Sequence, residues 1–125
     1  MNVLIVDDNV MDRKYIKYLL ENHLHLSPQS AKDGLEAIEK VNLQHFDLII
    51  TDIVMPNVDG IELIQYLKLN FPAINIISLS GYNPCYLQIV NKLGVDKIFK
   101  KPIETSKFIE AIESINKNKT KKALV

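Results

Sequence analysis

The sequence predicts an α/β domain in which a parallel five-stranded sheet lies between two layers of helices, and three observations carry that prediction. Short apolar, β-branched runs recur along the chain, and they are too continuous for strands with one solvated face. Between them, apolar residues return at three- and four-residue spacing, the period of a helix packed on one side. Five such strand-then-helix units follow one another, and right-handed crossovers between them place every strand end on one rim of the sheet.

Each element follows in order. Val3-Leu4-Ile5-Val6 reads as the first strand and stops at Asp7-Asp8. A helix follows, with Met11, Tyr15, Tyr18, Leu19 and Ile16 expected on its apolar face, Arg13, Lys14 and Lys17 outward, and Asp8 or Asn9 as its cap. The second strand is expected within Leu24–Ala31, as an edge or irregular strand because Pro28 has no N–H for a ladder. After the Asp33-Gly34 turn signal, Leu35, Ile38 and Val41 mark the second helix. Phe46 to Thr51 forms the third strand, leading straight into Asp52. Met55 to Gly60 is a loop, and Ile61, Leu63, Ile64 and Leu67 define a third helix that ends near Asn70-Phe71-Pro72. Ile74–Leu79 is the fourth strand. Pro84 opens a fourth helix bearing Leu87, Val90 and Leu93, and Gly94 closes it. Val95–Lys100 is the fifth strand, and Phe108, Ile112 and Ile115 belong to the last helix.

At 125 residues the chain is expected to hold one domain, spanning residues 1–118, with a lysine-rich solvated tail at 119–125 and no further domain attached. A hydrophobic content of 47% with 24% charged residues excludes long disorder. The single cysteine, Cys85, has no internal partner, which fits a reducing cytosol, and it is expected to be a buried or half-buried bland thiol. No apolar run approaches the roughly 20 residues that cross a bilayer, so neither a membrane nor an export role is expected and the protein is placed in the cytoplasm. The formal net charge is zero, yet residues 1–62 carry 11 acidic and 5 basic side chains against 4 and 10 in residues 63–125.

The chemistry-bearing residues gather at the predicted strand ends, where ligands of open parallel sheets bind. Asp7 and Asp8 follow strand one and Asp52 follows strand three; three converging carboxylates repel one another unless a divalent cation offsets them, and Mg²⁺ suits a site that also handles phosphate. Lys101, after strand five, places an ammonium across the same mouth, and Ser80, at the end of strand four, adds a hydroxyl donor. Asp52 stands alone at a central strand end and is the expected nucleophile for a phosphoryl group, while the adjacent Asp7 and Asp8 are better placed to hold metal. No Gly-rich lysine loop of the nucleotide-binding kind occurs, so the phosphoryl group is expected from another protein or a small activated phosphate.

Five ordered motifs carry a family resemblance: VLIVDD at 3–8, DLIITD at 47–52, MPNVDG at 55–60, SLS at 78–80 and KKP at 100–102. In these the chain resembles the response-regulator receiver domains of two-component signalling, over essentially residues 1–118. The resemblance implies a flavodoxin-like (βα)5 fold with strand order 2-1-3-4-5, the order given for a chemotaxis protein among general examples of doubly wound sheets. It implies Asp52 as phosphoacceptor, Asp8 as direct Mg²⁺ ligand, Asp7 as a ligand through water, the Val54 carbonyl as a further ligand, Ser80 as switch hydroxyl and Lys101 as the phosphate-facing lysine. It also implies a phosphohistidine donor on a sensor histidine kinase or a histidine phosphotransfer protein, and self-catalysed phosphorylation and dephosphorylation. The output is expected to be docking to an unknown downstream protein or onward phosphotransfer, from a monomer or weak homodimer. The family commonly carries Tyr or Phe three residues before the lysine; here Ile98 holds that place and Phe99 comes one residue later, which strand alternation turns to the opposite face. The output surface around the fourth helix, fifth strand and fifth helix is therefore expected to respond differently from the family's.

Other readings weigh less. A phosphorylation-independent interaction module of the same fold is the alternative, although every side chain for metal binding and transfer is in place. A hydrolase of small phosphorylated metabolites lacks room for a substrate-selecting cap. His23, His25 and His45 show no ligand spacing, and ordinary surface roles are preferred for them. The lysines from Lys117 to Lys122 have neither a recognition helix nor interleaved aromatics, so no direct nucleic-acid contact is expected. Tyr82, Tyr86 and Ile98 are candidates for a partner-binding face, with a plain core or surface role weighted equally.

Overall fold

In the computed structural model, which describes residues 1–81 and 83–124, strands and helices alternate from end to end. Strand β1 (Val3–Val6) leads to α1 (Val10–Leu24), β2 (Gln29–Ala31) to α2 (Gly34–Leu43), and β3 (Leu48–Asp52) to α3 (Gly60–Asn70). Strand β4 (Asn75–Ser80) then leads to α4 (Pro84–Leu93), and β5 (Lys97–Lys100) to α5 (Thr105–Leu124). All neighbouring strands pair in parallel, in the order β2-β1-β3-β4-β5, so the expected topology holds.

The period-two alternation of the strands divides the core into two layers. Leu4, Val6, Ile49, Ile53 and Ile76 face Ala37, Val41, Leu63, Ile64, Leu67 and Val90 of α2, α3 and α4. On the other side Val3, Ile5, Leu48, Ile50, Ile77 and Leu79 meet Ile16, Leu19 and Leu20 of α1 and Phe108, Ile112 and Ile115 of α5. At about 25 cal/mol per Å² of apolar surface, burial on both faces of the sheet is the main force holding it against the helices. Side-chain caps fix the helix starts. Asn9, Asp33, Asp59 and Asn83 accept the backbone N–H of Asp12, Glu36, Glu62 and Cys85 respectively.

Three expectations are corrected and one is narrowed. The buried stripe of α1 is Ile16, Leu19 and Leu20, while Met11, Tyr15 and Tyr18, expected inward, are exposed. Both sets follow helical spacing, and the sheet selects the one that packs against Val3 and Ile5. The second strand lies within Leu24–Ala31 and at the sheet edge as expected, but it covers only Gln29–Ala31, because α1 continues to Leu24 and ends at His25 in the left-handed conformation (φ 54°). Pro28 therefore precedes the edge strand instead of interrupting it. Residues 119–124, expected as a tail, prolong α5, and Lys119 Nζ reaches the Ala73 carbonyl at 3.4 Å. Cys85, expected buried or half-buried, is exposed near the start of α4.

Candidate functional site

Strand register assembles the site. Val6 pairs with Thr51, Asp52 with Leu79, and Ser80 with Lys100, so Asp7, Asp52, Ser80 and Lys101 leave the sheet at a common rim. The Lys101 N–H donates to the Ser80 carbonyl at 2.8 Å, extending the β4–β5 ladder one residue past the strand and holding the lysine at the mouth. Asp7, Asp8 and Asp52 each offer a carboxylate oxygen, and these three atoms lie within 4.8 Å of one another. A cluster of hard oxygen donors at this spacing fits a small divalent cation. Asp7 is fully buried, Asp52 half-buried and Asp8 exposed, so the cluster opens to solvent on the Asp8 side.

The acids differ in how much of their hydrogen-bonding capacity the fold consumes. Asp7 Oδ1 accepts the Asn9 N–H at 2.9 Å, and Oδ2 accepts Lys101 Nζ at 2.9 Å. Asp52 Oδ1 accepts the Ile53 N–H at 2.8 Å, and Oδ2 accepts Lys101 at the longer distance of 3.3 Å. Burial pushes the Asp52 carboxyl above its ordinary value against the pull of Lys101, and the Asp7 charge adds to the rise. Burial alone would lower the ammonium of Lys101, but its hydrogen bonds to Asp7 and Asp12 outweigh this and hold it above the ordinary lysine value. The cation is thus fixed in its charged form beside the most desolvated carboxylates.

Among the described residues, Ser80 ends β4 with its hydroxyl buried and without a hydrogen-bond partner, and Ser78, two residues earlier on the same face, shares that condition. Buried hydroxyls are nearly always paired, so an unpaired one at a strand end is a donor available to an incoming acceptor. Val54 lies two residues past Asp52 in the β3–α3 loop and is exposed. That loop is pinned from below. Asn57 donates to Asp33 Oδ2 at 2.7 Å, and the Gly34 N–H donates to the Val58 carbonyl at 3.0 Å. Gly60 lets α3 start against the strand end: a Cβ there would stand 2.2 Å from the Asp52 carbonyl oxygen.

One participant was not singled out by the sequence. Asp12 Oδ2 accepts Lys101 Nζ at 2.9 Å, as short as the bond to Asp7. The available signal was an acidic residue in the first turn of the helix directly after the Asp7-Asp8 strand end, where side chains point back toward the preceding segment. Ile98 and Phe99 separate as expected. Ile98 and Tyr86 each pack against the core layer on the α4 side of the sheet, and Phe99 lies on the α5 side in an edge-to-face contact with Phe108, ring centroids 5.6 Å apart. Tyr82, proposed for the same face as Tyr86, lies outside the described residues.

Residues 3–113 match the response regulator receiver domain family. The chain is 46% identical over 68 residues to the sensor protein EvgS of Escherichia coli O157:H7, a stretch covering 54% of this chain but only 6% of that protein. It is 29% identical over 119 residues to the chemotaxis protein CheY of Listeria monocytogenes, covering 94% of this chain and 99% of the relative. The crystal structure of the N-terminal domain of an uncharacterized protein from Wolinella succinogenes superposes with a TM-score of 0.90 at 31% identity, covering 98% of both chains. With its strand order, its rim of acidic residues and this match over nearly its whole length, the chain belongs to the response-regulator receiver domains, which act in phosphorylation-dependent signalling.

Proposed function

We propose that Asp52 accepts a phosphoryl group from a phosphohistidine carried by a sensor histidine kinase or a histidine phosphotransfer protein. A carboxylate oxygen of Asp52 forms the new bond to phosphorus in line with the histidine nitrogen, whose bond to phosphorus breaks as the imidazole leaves. Lys101 neutralises one transferred oxygen, and the buried, unpaired Ser80 hydroxyl donates to another. Asp7, Asp8 and Asp52, with the Val54 carbonyl, are the residues that would hold Mg²⁺, with Asp7 acting through water as the family resemblance implies. Bound there, Mg²⁺ supplies charge neutralisation for phosphoryl transfer in both directions.

The observation that carries this reading is the position of Asp52. It ends a central strand within the acidic cluster, and Lys101 from the opposite rim reaches it. The family match covers residues 3–113, and α5 continues past it to Leu124. Phosphorylation shifts the balance between two surface states by drawing Ser80 and the β4–α4 loop toward the new charge, and the gain in affinity for a downstream protein, or onward transfer to a histidine, is the output. Among the described residues no helix is long and apolar enough to cross a membrane, and we place this chemistry in the cytoplasm.

Incubation with a radiolabelled phosphohistidine protein and Mg²⁺ tests the proposal. Label is expected on the wild type and absent from Asp52→Asn. A wild type that stays unlabelled while still binding a partner would favour the phosphorylation-independent module instead.

A further inference from the structure

The Lys101 ammonium has three N–H donors, and three carboxylates take them: Asp7 and Asp12 at 2.9 Å and Asp52 at 3.3 Å. It is fully subscribed before any phosphoryl group arrives. A phosphoryl oxygen on Asp52 inherits the longest of these contacts, the one Asp52 Oδ2 makes at 3.3 Å, and it draws the ammonium closer only if one of the other two acceptors loosens its hold. Asp7 is a poor candidate to yield, because its side chain is 0% exposed and its carboxylate would be left buried without a cation. Asp12 is different: its side chain is 44% exposed, so water takes over when the lysine leaves.

We propose that Asp12 is a positioning residue that competes with the phosphoryl group for Lys101 and so restrains the phosphorylated arrangement of the site. This inference rests on the reading of Asp52 as phosphoacceptor. Asp12 sits in the first turn of α1, its own N–H donates to the capping oxygen of Asn9 at 3.0 Å, and its carboxylate draws Lys101 toward α1. Asp12 and Lys101 also line a cavity of about 320 Å³ together with Tyr15, Ile16, Pro102 and Ile103, which leaves open space beside their ion pair on the α1 side. Charge acts in the same direction as competition, since a carboxylate at the mouth opposes the approach of a second anion.

The test uses beryllofluoride with Mg²⁺ as a phosphoryl stand-in, titrated by fluorine NMR. Asp12→Asn keeps the backbone N–H that binds Asn9, and it is expected to tighten beryllofluoride binding by about three- to five-fold, the scale of an exposed ion pair. In a Lys101→Met background the same substitution is expected to change affinity by less than about two-fold, because its effect passes through the lysine. Where the Lys101→Met affinity is too weak to titrate, initial rates of labelling by acetyl phosphate supply the same four-way comparison.

Unchanged or weaker binding by Asp12→Asn would overturn the proposal, and so would a gain fully retained without Lys101. A merely structural role would move the thermal midpoint and leave this coupling at zero. If the wild type itself fails to bind beryllofluoride, it is the phosphoacceptor reading that fails; a binding wild type with an inert Asp12→Asn defeats only the competition.

Discussion

Lys101 and Asp52, 49 residues apart in sequence, meet with Nζ 3.3 Å from Oδ2, and this is the longest of the three carboxylate contacts the lysine makes. In the absence of phosphate the lysine is therefore bound more tightly by Asp7 and Asp12 than by the residue it serves. Lys101→Ala removes the cation from both tasks. The phosphorylation-dependent gain in partner affinity is expected to fall, and the buried Asp7 carboxylate left behind is expected to cost up to about 3 kcal/mol. Denaturant midpoints in EDTA check the second effect, and Mg²⁺ is expected to restore part of the loss. An unchanged affinity gain on phosphorylation would remove Lys101 from the switch.

Asp52 carries an energetic burden in the folded state. Its carboxyl is raised above the ordinary value of 3.8, first by burial, so the folded state holds this proton more tightly than the unfolded chain. For a raised acid, the cost to the folded state is present above the folded value and vanishes as the pH falls below 3.8. Without metal, Asp52→Asn is expected to be more stable than the wild type at pH 7, with the difference shrinking toward pH 4. Mg²⁺ at ten times its Kd is expected to add about 1.4 kcal/mol to the wild type, or about 5 °C in Tm, and less to Asp52→Asn. Thermal melts with Mg²⁺ or EDTA across pH measure both.

Asp33 links helix α2 to the loop that carries the site. Its carboxylate caps α2 through the Glu36 N–H at 2.8 Å and receives Asn57 at 2.7 Å. The Glu36 hydrogen bond, the largest influence, holds the carboxyl below 3.8 despite burial. The stability from this charge is present above that value and is lost as the pH falls through the lower folded one. Asp33→Ala is expected to cost about 1 kcal/mol at pH 7. Asp33→Asn, which still caps, is expected to lose less and to show a flatter acid limb in urea unfolding.

Phe99 packs into the core layer under α5, and it is expected to serve packing rather than signalling. It contacts Phe108 beneath α5, on the face opposite Ile98 and the unpaired Ser80 hydroxyl. Phe99→Leu is expected to cost about 1 kcal/mol through the lost aromatic pair and to leave the phosphorylation-dependent affinity gain unchanged. Loss of that gain at unchanged labelling would make Phe99 part of the switch after all.

Much of the site was legible because strand ends are legible. Val6 before Asp7, Thr51 before Asp52 and Leu79 before Ser80 mark where apolar runs stop, and parallel pairing turns those stops into neighbours. Strand alternation likewise separated Ile98 from Phe99. Helix faces were less legible. In α1 the sets Met11, Tyr15, Tyr18 and Ile16, Leu19, Leu20 both satisfy helical spacing, and only contact with the sheet decides between them.

Asp12 was hidden for a related reason, since its role depends on where a lysine 89 residues later delivers its ammonium. The extension of α5 through Leu124 also escaped the sequence reading. A run of lysines suggests a solvated end, yet lysine is a good helix former and here continues a helix already anchored by Phe108 and Ile112.

The central claim is that Asp52 takes the phosphoryl group, and intact mass measurement after incubation with acetyl phosphate and Mg²⁺ tests it most directly. The account predicts a gain of one phosphoryl mass on the wild type, lost with EDTA and absent from Asp52→Asn. No gain on the wild type, or an equal gain on Asp52→Asn, would contradict it.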